Sequence, residues 1–348
     1  MGEMMKAVRK LKPEPGFDLT EVAVPQIKPD EVLLKVEATS ICGSDVHFYV
    51  WDEFAQKKLK PPLTIGHEFA GEIVEVGKDV KGYKVGDYAT ADSHIVDGTC
   101  DVCKMGLQHI CQNLKIFGNE VDGSFAEYVA VPETSLWRLS RDVPAKVGAI
   151  MEPLGGATQA VLVEPVAGKS VVVFGDGPIG LLAVAVARAA GASKVTLVGA
   201  TEPRLELGRL MKADEVINVR ELGDQLVTKL LDETNGLGVD VVVEASGAPQ
   251  AMHHSFQIVR KGGRVTLFGI SARPIELDFN FSVILRQVTV RGVAGRHMWD
   301  TWYQMDGLLK SGLLDPTPVI TCELPLEEFN MGFEQMVDKT CGKVILTP

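Results

Sequence analysis

Apolar and polar residues alternate and then run apolar along Glu31-Val-Leu-Leu-Lys-Val-Glu37. The same two-residue period returns in Phe69-Ala-Gly-Glu-Ile-Val-Glu-Val-Gly77, Lys84-Val-Gly-Asp-Tyr-Ala89 and Phe125-Ala-Glu-Tyr-Val-Ala-Val-Pro132. A period of two marks strands with one buried face. Their spacing, broken by Gly and Pro, predicts a partly opened β-barrel. The texture changes after Glu152-Pro153-Leu154. Lys169 to Gly175 contains Val-Val-Val-Phe, the continuous apolar run of a strand buried on both faces. A glycine turn follows, then an apolar helix over Ile179 to Ala190, a strand over Lys194 to Val198 and a helix over Arg204 to Lys212. Further strands are predicted at Asp240 to Val243, Gly263 to Phe268 and Val288 to Gly292. Strands alternating with helices imply βαβ units on a doubly wound parallel sheet. From Gly295 the pattern mixes again and is expected to rejoin the first part. The reading is an α/β chain of two domains, residues 1–154 with 297–348 and residues 155–296, without internal repeats.

Composition agrees. At roughly 100–200 residues per domain, a chain of 348 residues suits two domains, and 46% hydrophobic residues supply two cores. The 35 glycines exceed the usual share of about 7% and point to tight turns and close backbone approaches. A net charge of −11 argues against nucleic acid and anionic membrane surfaces as partners. An anionic cofactor must then be held by backbone donors and a few basic side chains. Met1 to Lys10 has no apolar core of signal-peptide length, and the apolar stretch Ile179 to Ala187 is too short to span a bilayer. A cytoplasmic chain is expected. In a reducing compartment the close set Cys100, Cys103 and Cys111 reads as a metal site rather than a disulfide frame, and Cys322 and Cys341 as simple thiols.

Gly175-Asp-Gly177-Pro178-Ile179-Gly180 follows a predicted strand and opens a predicted helix. In that context G-x-G-x-x-G is a dinucleotide turn. Its first glycine makes the tight turn, the second admits the pyrophosphate and the third lets helix and strand pack closely. The helix N-terminus faces the phosphates with free N–H groups. About twenty residues on, a carboxylate normally accepts the ribose 2′-hydroxyl of NAD. Here the strand ends in Gly199-Ala200-Thr201, with Arg204 close behind. No acid is apparent at the tip, and a guanidinium can pair with a 2′-phosphate. The lean is toward NADP, with Glu202 or a longer loop as the alternative reader of the ribose.

Two constellations suit zinc. Cys42-Gly-Ser44-Asp-Val-His47, Gly66-His67-Glu68 and Glu152-Pro153 bring a thiolate, an imidazole and carboxylates from separate segments. Such a set makes a tetrahedral site with one position open for a substrate oxygen. Zinc there lowers the pKa of a substrate hydroxyl and so prepares hydride loss. The second constellation is Asp97-Gly-Thr-Cys100-Asp-Val-Cys103 with Cys111. Cys-x-x-Cys plus a further Cys has zinc-lobe spacing, and Asp97 stands where a fourth ligand fits. A site of three thiolates and one carboxylate should be weaker and more acid-labile than one of four thiolates. The alternative is an empty lobe.

Over nearly its whole length the chain resembles the zinc-containing medium-chain alcohol dehydrogenase family. The segments that carry the likeness are Ala38-Thr-Ser-Ile-Cys42-Gly-Ser-Asp-Val-His47, Tyr49-Val-Trp51-Asp-Glu-Phe-Ala, His94-Ile-Val, Gln108-His-Ile-Cys111-Gln-Asn, Ile116-Phe-Gly and Gly295-Arg-His-Met-Trp299-Asp-Thr-Trp302-Tyr303. Within that family it looks most like the L-threonine 3-dehydrogenase branch. The resemblance implies a GroES-like barrel domain and a Rossmann domain. It implies zinc on Cys42, His67 and Glu152, with Glu68 near or intermittently on the metal, and a proton path through Ser44 and His47. It implies substrate selection at His94, cofactor contacts that include Phe268, Gly269, Ile270 and Val293, and a homotetramer. The implied reaction takes the threonine β-hydroxyl to 2-amino-3-oxobutanoate. Polyol or other secondary-alcohol oxidation is the alternative. Three positions depart from the pattern: Asp97 in the lobe, Gly156 where Asn is usual, and Gly199 at the ribose. A non-enzymatic scaffold or a zinc-free reductase of the same fold would lack Cys42, His67 or Glu152, and all three are present.

Overall fold

The strand Glu31–Ser40 is paired along both edges and buried on both faces from Glu31 to Leu34, which is why its alternation gives way to an apolar run. It pairs antiparallel with Phe69–Val76 on one side. On the other it pairs with Tyr128–Pro132 over its first half and with Lys343–Thr347 at Thr39 and Ser40. Leu136–Arg138 and Tyr88–Ala91 extend the sheet beyond Phe69–Val76, and Ile320–Pro325 extends it beyond Lys343–Thr347. The predicted strand at Lys84 to Ala89 starts later, because the Asp87 carboxylate accepts the Lys84 N–H and turns the chain there. Two apolar cores flank this sheet, one around Ile41, Phe48, Phe125 and Phe333, the other around Val32, Leu34, Phe69 and Val129.

The second sheet has six parallel strands in the order Glu215–Asn218, Lys194–Gly199, Ser170–Phe174, Val239–Glu244, Val259–Leu267 and Thr289–Gly292. Numbered along the chain this is 3-2-1-4-5-6, the doubly wound order in which a ligand crevice opens beyond the carboxyl ends of the first and fourth strands. Sequence periodicity missed Glu215–Asn218, a four-residue strand of which Ile217 alone is buried. The helix Pro178–Ala189 is apolar on nearly every face, as a helix covering such a sheet must be.

The computed structural model describes residues 2–348. The chain divides into one unit that runs to Pro153 and resumes at Ile320–Pro348, and a second at Leu154–Val319. The first junction falls within helix Met151–Leu162, one residue from its expected place. The second moves from 296/297 to 319/320. Helix Asp300–Lys310 buries Trp302 and Met305, and Thr301 Oγ1 donates to Gln159 Oε1 at 2.6 Å. The turn Thr317–Val319 then packs on helices Pro178–Ala189 and Glu202–Leu210. The tryptophan-rich segment thus anchors in the second unit's core. No helix among the described residues is long and apolar enough to cross a membrane.

Candidate active site

Cys42 is the N-cap of helix Gly43–Val50, and its own N–H donates to Asp45 Oδ2 at 2.9 Å, which fixes the sulfur over the first turn. Asp45 is fully buried, and its other oxygen lies 3.6 Å from His67 Nδ1. One carboxylate therefore caps the helix and faces the imidazole. Donor atoms of Cys42, His67 and Glu68 all lie within 4.8 Å of one another. Glu68 Oε2 accepts from Lys343 Nζ and Ser40 Oγ, while Lys343 also donates to Ile41 O at 2.8 Å.

The close trio therefore contains Glu68, where the sequence points to Glu152 as its carboxylate. Glu152, in the first turn of helix Met151–Leu162, accepts a hydrogen bond from Ser93 Oγ. It stays near enough that its charge helps burial to raise the Glu68 carboxyl, against the pull of Lys343 and His67.

The donor set fits zinc. Glu68 Oε1 is buried and has no hydrogen-bond partner among the described residues. Burial alone would lower the His67 pKa, yet the Asp45 carboxylate and the Cys42 sulfur push it well above the usual imidazole value. The pocket is thus built to hold positive charge, and thiolate, imidazole and carboxylate are zinc's ordinary ligands.

Ser44 and His47 stand three residues apart on the same helix, hence on one face. His47 Nδ1 lies 2.5 Å from Asp52 Oδ2, while Asp52 Oδ1 caps helix Glu53–Lys58 through the N–H groups of Phe54 and Ala55. Burial pushes the Asp52 carboxyl up, but these bonds hold it below its ordinary value. His94 is buried. Its N–H donates to Asp92 Oδ1 at 3.0 Å and its Nδ1 lies 3.7 Å from the same oxygen.

Asp97, Cys100, Cys103 and Cys111 also converge, with Sγ of Cys100 and Cys111 3.8 Å apart and all cysteines free. Burial and the two neighbouring sulfurs push Cys103 up to about 12. Three sulfurs and a carboxylate within 4.8 Å of one another offer a donor set of the kind zinc takes. Asp97 is held well below the carboxylate range by Asn113 and by the N–H groups of Cys100 and Thr99. It is an ionised carboxylate already engaged in three hydrogen bonds.

In the second unit the glycine turn has the expected form. Gly175 has φ 110°, and a Cβ on Gly180 would stand 1.8 Å from Gly175 O. Gly177 caps helix Pro178–Ala189 with open space beside it, room that an approaching pyrophosphate needs. Phe268, Gly269 and Ile270 follow strand Val259–Leu267, and Val293 follows Thr289–Gly292 with its N–H on Leu267 O. All four therefore sit at the carboxyl ends of parallel strands, where a dinucleotide fold binds its ligand. A Cβ on Gly156 would meet the Phe268 ring at 3.1 Å, so that ring takes up space the usual Asn would use.

The premise of the NADP lean is corrected. An acid does sit at the tip of strand Lys194–Gly199, supplied by the glycine turn itself: Asp176 Oδ2 accepts the N–H groups of Ala200 at 2.8 Å and Thr201 at 2.7 Å. Arg204, the basic residue of that lean, is only 6% exposed within helix Glu202–Leu210.

Sequence reasoning missed Asp45, Ser93, Lys343 and Asp176. The spacing of Asp45 from Cys42, that of a capping box, pointed to the first. The lone charge ahead of the apolar run Val344-Ile-Leu346 pointed to Lys343.

Residues 28–141 match the family described as the alcohol dehydrogenase GroES-like domain, and residues 178–311 that of the zinc-binding dehydrogenases. The chain is 46% identical to the L-threonine 3-dehydrogenase of Pyrococcus furiosus over 346 residues, 99% of each chain. It is 44% identical to that of Caldanaerobacter subterraneus over all of both chains. Among solved structures, it superposes with TM-score 0.90 on a zinc-binding dehydrogenase of Sinorhizobium meliloti bound to NADP, at 30% identity over 99% of this chain and 100% of that one. It superposes with TM-score 0.88 on the 2R,3R-butanediol dehydrogenase of Bacillus subtilis, at 29% identity over 99% of each. With the donor cluster, the glycine turn and both domain matches in agreement, the chain belongs to the zinc-containing medium-chain alcohol dehydrogenase family and is a zinc- and NAD(P)-dependent alcohol dehydrogenase.

Proposed function

We propose that this dehydrogenase oxidises the β-hydroxyl of L-threonine to a ketone, giving 2-amino-3-oxobutanoate. The observation that carries the substrate is the end-to-end identity of 44–46% with L-threonine 3-dehydrogenases, together with a thiol, imidazole and carboxylate cluster that is complete in this chain. Cys42 and His67, with Glu152 and Glu68, are the residues that would hold the catalytic zinc. When bound, zinc supplies Lewis acidity that lowers the hydroxyl pKa. The nicotinamide, when bound, accepts the hydride.

The chain's own residues do the rest. Asp45 orients the His67 ring and fixes the start of the Cys42 helix. Lys343 and Ser40 hold Glu68 against the floor of the site. Ser44 receives the hydroxyl proton and His47 hands it outward. Asp52 keeps a proton on Nδ1 of His47 and so leaves the other ring nitrogen for that exchange. His94, braced by Asp92, contributes to substrate choice. A homotetramer accompanies this reading on the family resemblance, and a cytoplasmic location on the sequence pattern.

The test is a panel of L-threonine, sorbitol, xylitol and 2,3-butanediol, each with NAD and NADP. Threonine should give the highest kcat/KM. Absence of threonine turnover with either cofactor, beside turnover of another member, would transfer the assignment to a polyol or other secondary-alcohol dehydrogenase. The glycine at 156 favours that second reading.

The Asp97, Cys100, Cys103 and Cys111 lobe is proposed to hold a structural zinc. Asp97→Cys should keep that zinc at chelator concentrations that strip it from the unaltered chain, because a fourth thiolate binds zinc more tightly than a carboxylate already shared among three donors. Zinc content after graded dialysis reads this out. Equal retention in both proteins would show that Asp97 is not a ligand.

A further inference from the structure

Strand Lys194–Gly199 ends where a doubly wound sheet ordinarily presents the carboxylate that reads the adenosine ribose. Its last residue is glycine, but the space is not empty. A Cβ added to Gly199 would stand 2.5 Å from Cβ and 2.7 Å from Oδ2 of Asp176, the second residue of the glycine turn. A side chain at 199 and the aspartate at 176 therefore exclude one another. The same carboxylate accepts the N–H groups of both Ala200 and Thr201, the donors that open the loop beyond the strand.

We propose that Asp176 sets cofactor choice in this enzyme: its carboxylate takes the place of the missing strand-end acid, receives the ribose 2′-hydroxyl of NAD and repels the 2′-phosphate of NADP. The proposal rests on the reading of this unit as a dinucleotide site and deepens it. Four physical arguments support it. Both backbone donors bind Oδ2, which leaves Oδ1 for a hydroxyl. Those same N–H groups are already spent on a carboxylate, so they are not offered to a phosphate. A phosphate brought to this point would meet a fixed negative charge at short range, where repulsion is strongest. Arg204, the nearest basic residue along the chain, is buried in the following helix.

Equilibrium binding of NADH and NADPH, followed by nucleotide fluorescence, tests this without reference to turnover. The unaltered enzyme should bind NADH about tenfold or more tightly than NADPH. Asp176→Asn keeps the shape and an acceptor for the two N–H groups but loses the charge, and should reduce that ratio by about tenfold. The double change Asp176→Gly with Gly199→Asp moves the acid back to the strand and should restore the preference for NADH. Thermal unfolding of each variant establishes that it is folded. If Asp176→Asn is unstable, Asp176→Gly alone, which removes the carboxylate and leaves no side chain at 176, decides by the same loss of preference. A native preference for NADPH, or a ratio unmoved by Asp176→Asn, overturns the proposal alone. Failure of the unaltered enzyme to bind either nucleotide overturns the dinucleotide reading and the proposal with it.

Discussion

Cys42→Ser is expected to lower kcat by roughly a thousandfold and to strip the catalytic zinc, while leaving the fold in place. The separation of the two effects follows from where Cys42 sits. It is the N-cap of helix Gly43–Val50, with Asp45 returning a hydrogen bond to its N–H. Serine is among the best N-cap residues and fits that reciprocal arrangement, so the helix start should hold or gain slightly. A hydroxyl, however, is a poor ligand for zinc beside a thiolate. The trio loses its soft donor while His67 and Glu68 remain in position. Metal analysis, kcat and a thermal melt measured together check the prediction. A variant that kept both its zinc and its turnover would show that the thiol is not on the metal, and the mechanism above would fail.

Lys343→Met should destabilise the barrel unit by about 3–5 kcal/mol, the usual cost of leaving one member of a buried ion pair without its partner. In a melt this is a fall of roughly 10 °C for a unit of this size. Lys343 is 1% exposed and Glu68 is fully buried. Burial pushes the Glu68 carboxyl up and Lys343 offsets this only in part, whereas the ammonium, facing Glu68, Cys42 and Asp45, stays charged above its ordinary pKa despite burial. Methionine fills a similar volume, so the loss measures charge more than packing. Adding Glu68→Gln in the same chain removes the orphaned charge and should recover much of the stability. If Lys343→Met melts within a degree or two of the unaltered chain, Glu68 is not ionised there.

What can be read from the sequence divides along a physical line. Local periodicity and turn chemistry suffice for Glu31–Ser40, for Ser170–Phe174 and for the glycine turn, because a strand's burial on two faces is written in its own residues. The residue types of the metal cluster are also legible. Their partners are not. Lys343 lies 275 residues from Glu68, and the nearness of Glu68 rather than Glu152 to Cys42 and His67 depends on how strands and helices assemble. Residues 297–319 fall in the second unit rather than the first for the same reason. The burial of Trp302 is a tertiary fact, and no composition change marks the junction at Ile320. Asp176 hides among glycines whose role is plain. The expected place for an acid is the strand end, yet this one reaches that point from a turn more than twenty residues earlier.

The strand that carries Lys343 has a consequence for biosynthesis. The dinucleotide-binding unit is one uninterrupted stretch, Leu154–Val319, and has all its strands as soon as it leaves the ribosome. The barrel is different: its sheet waits for Lys343–Thr347 to pair beside Ser40, and until then the Glu68 carboxylate lacks its lysine partner in the interior. Domains fold as units during translation where their chain is continuous. The inserted half should therefore mature first, with the metal pocket completed last.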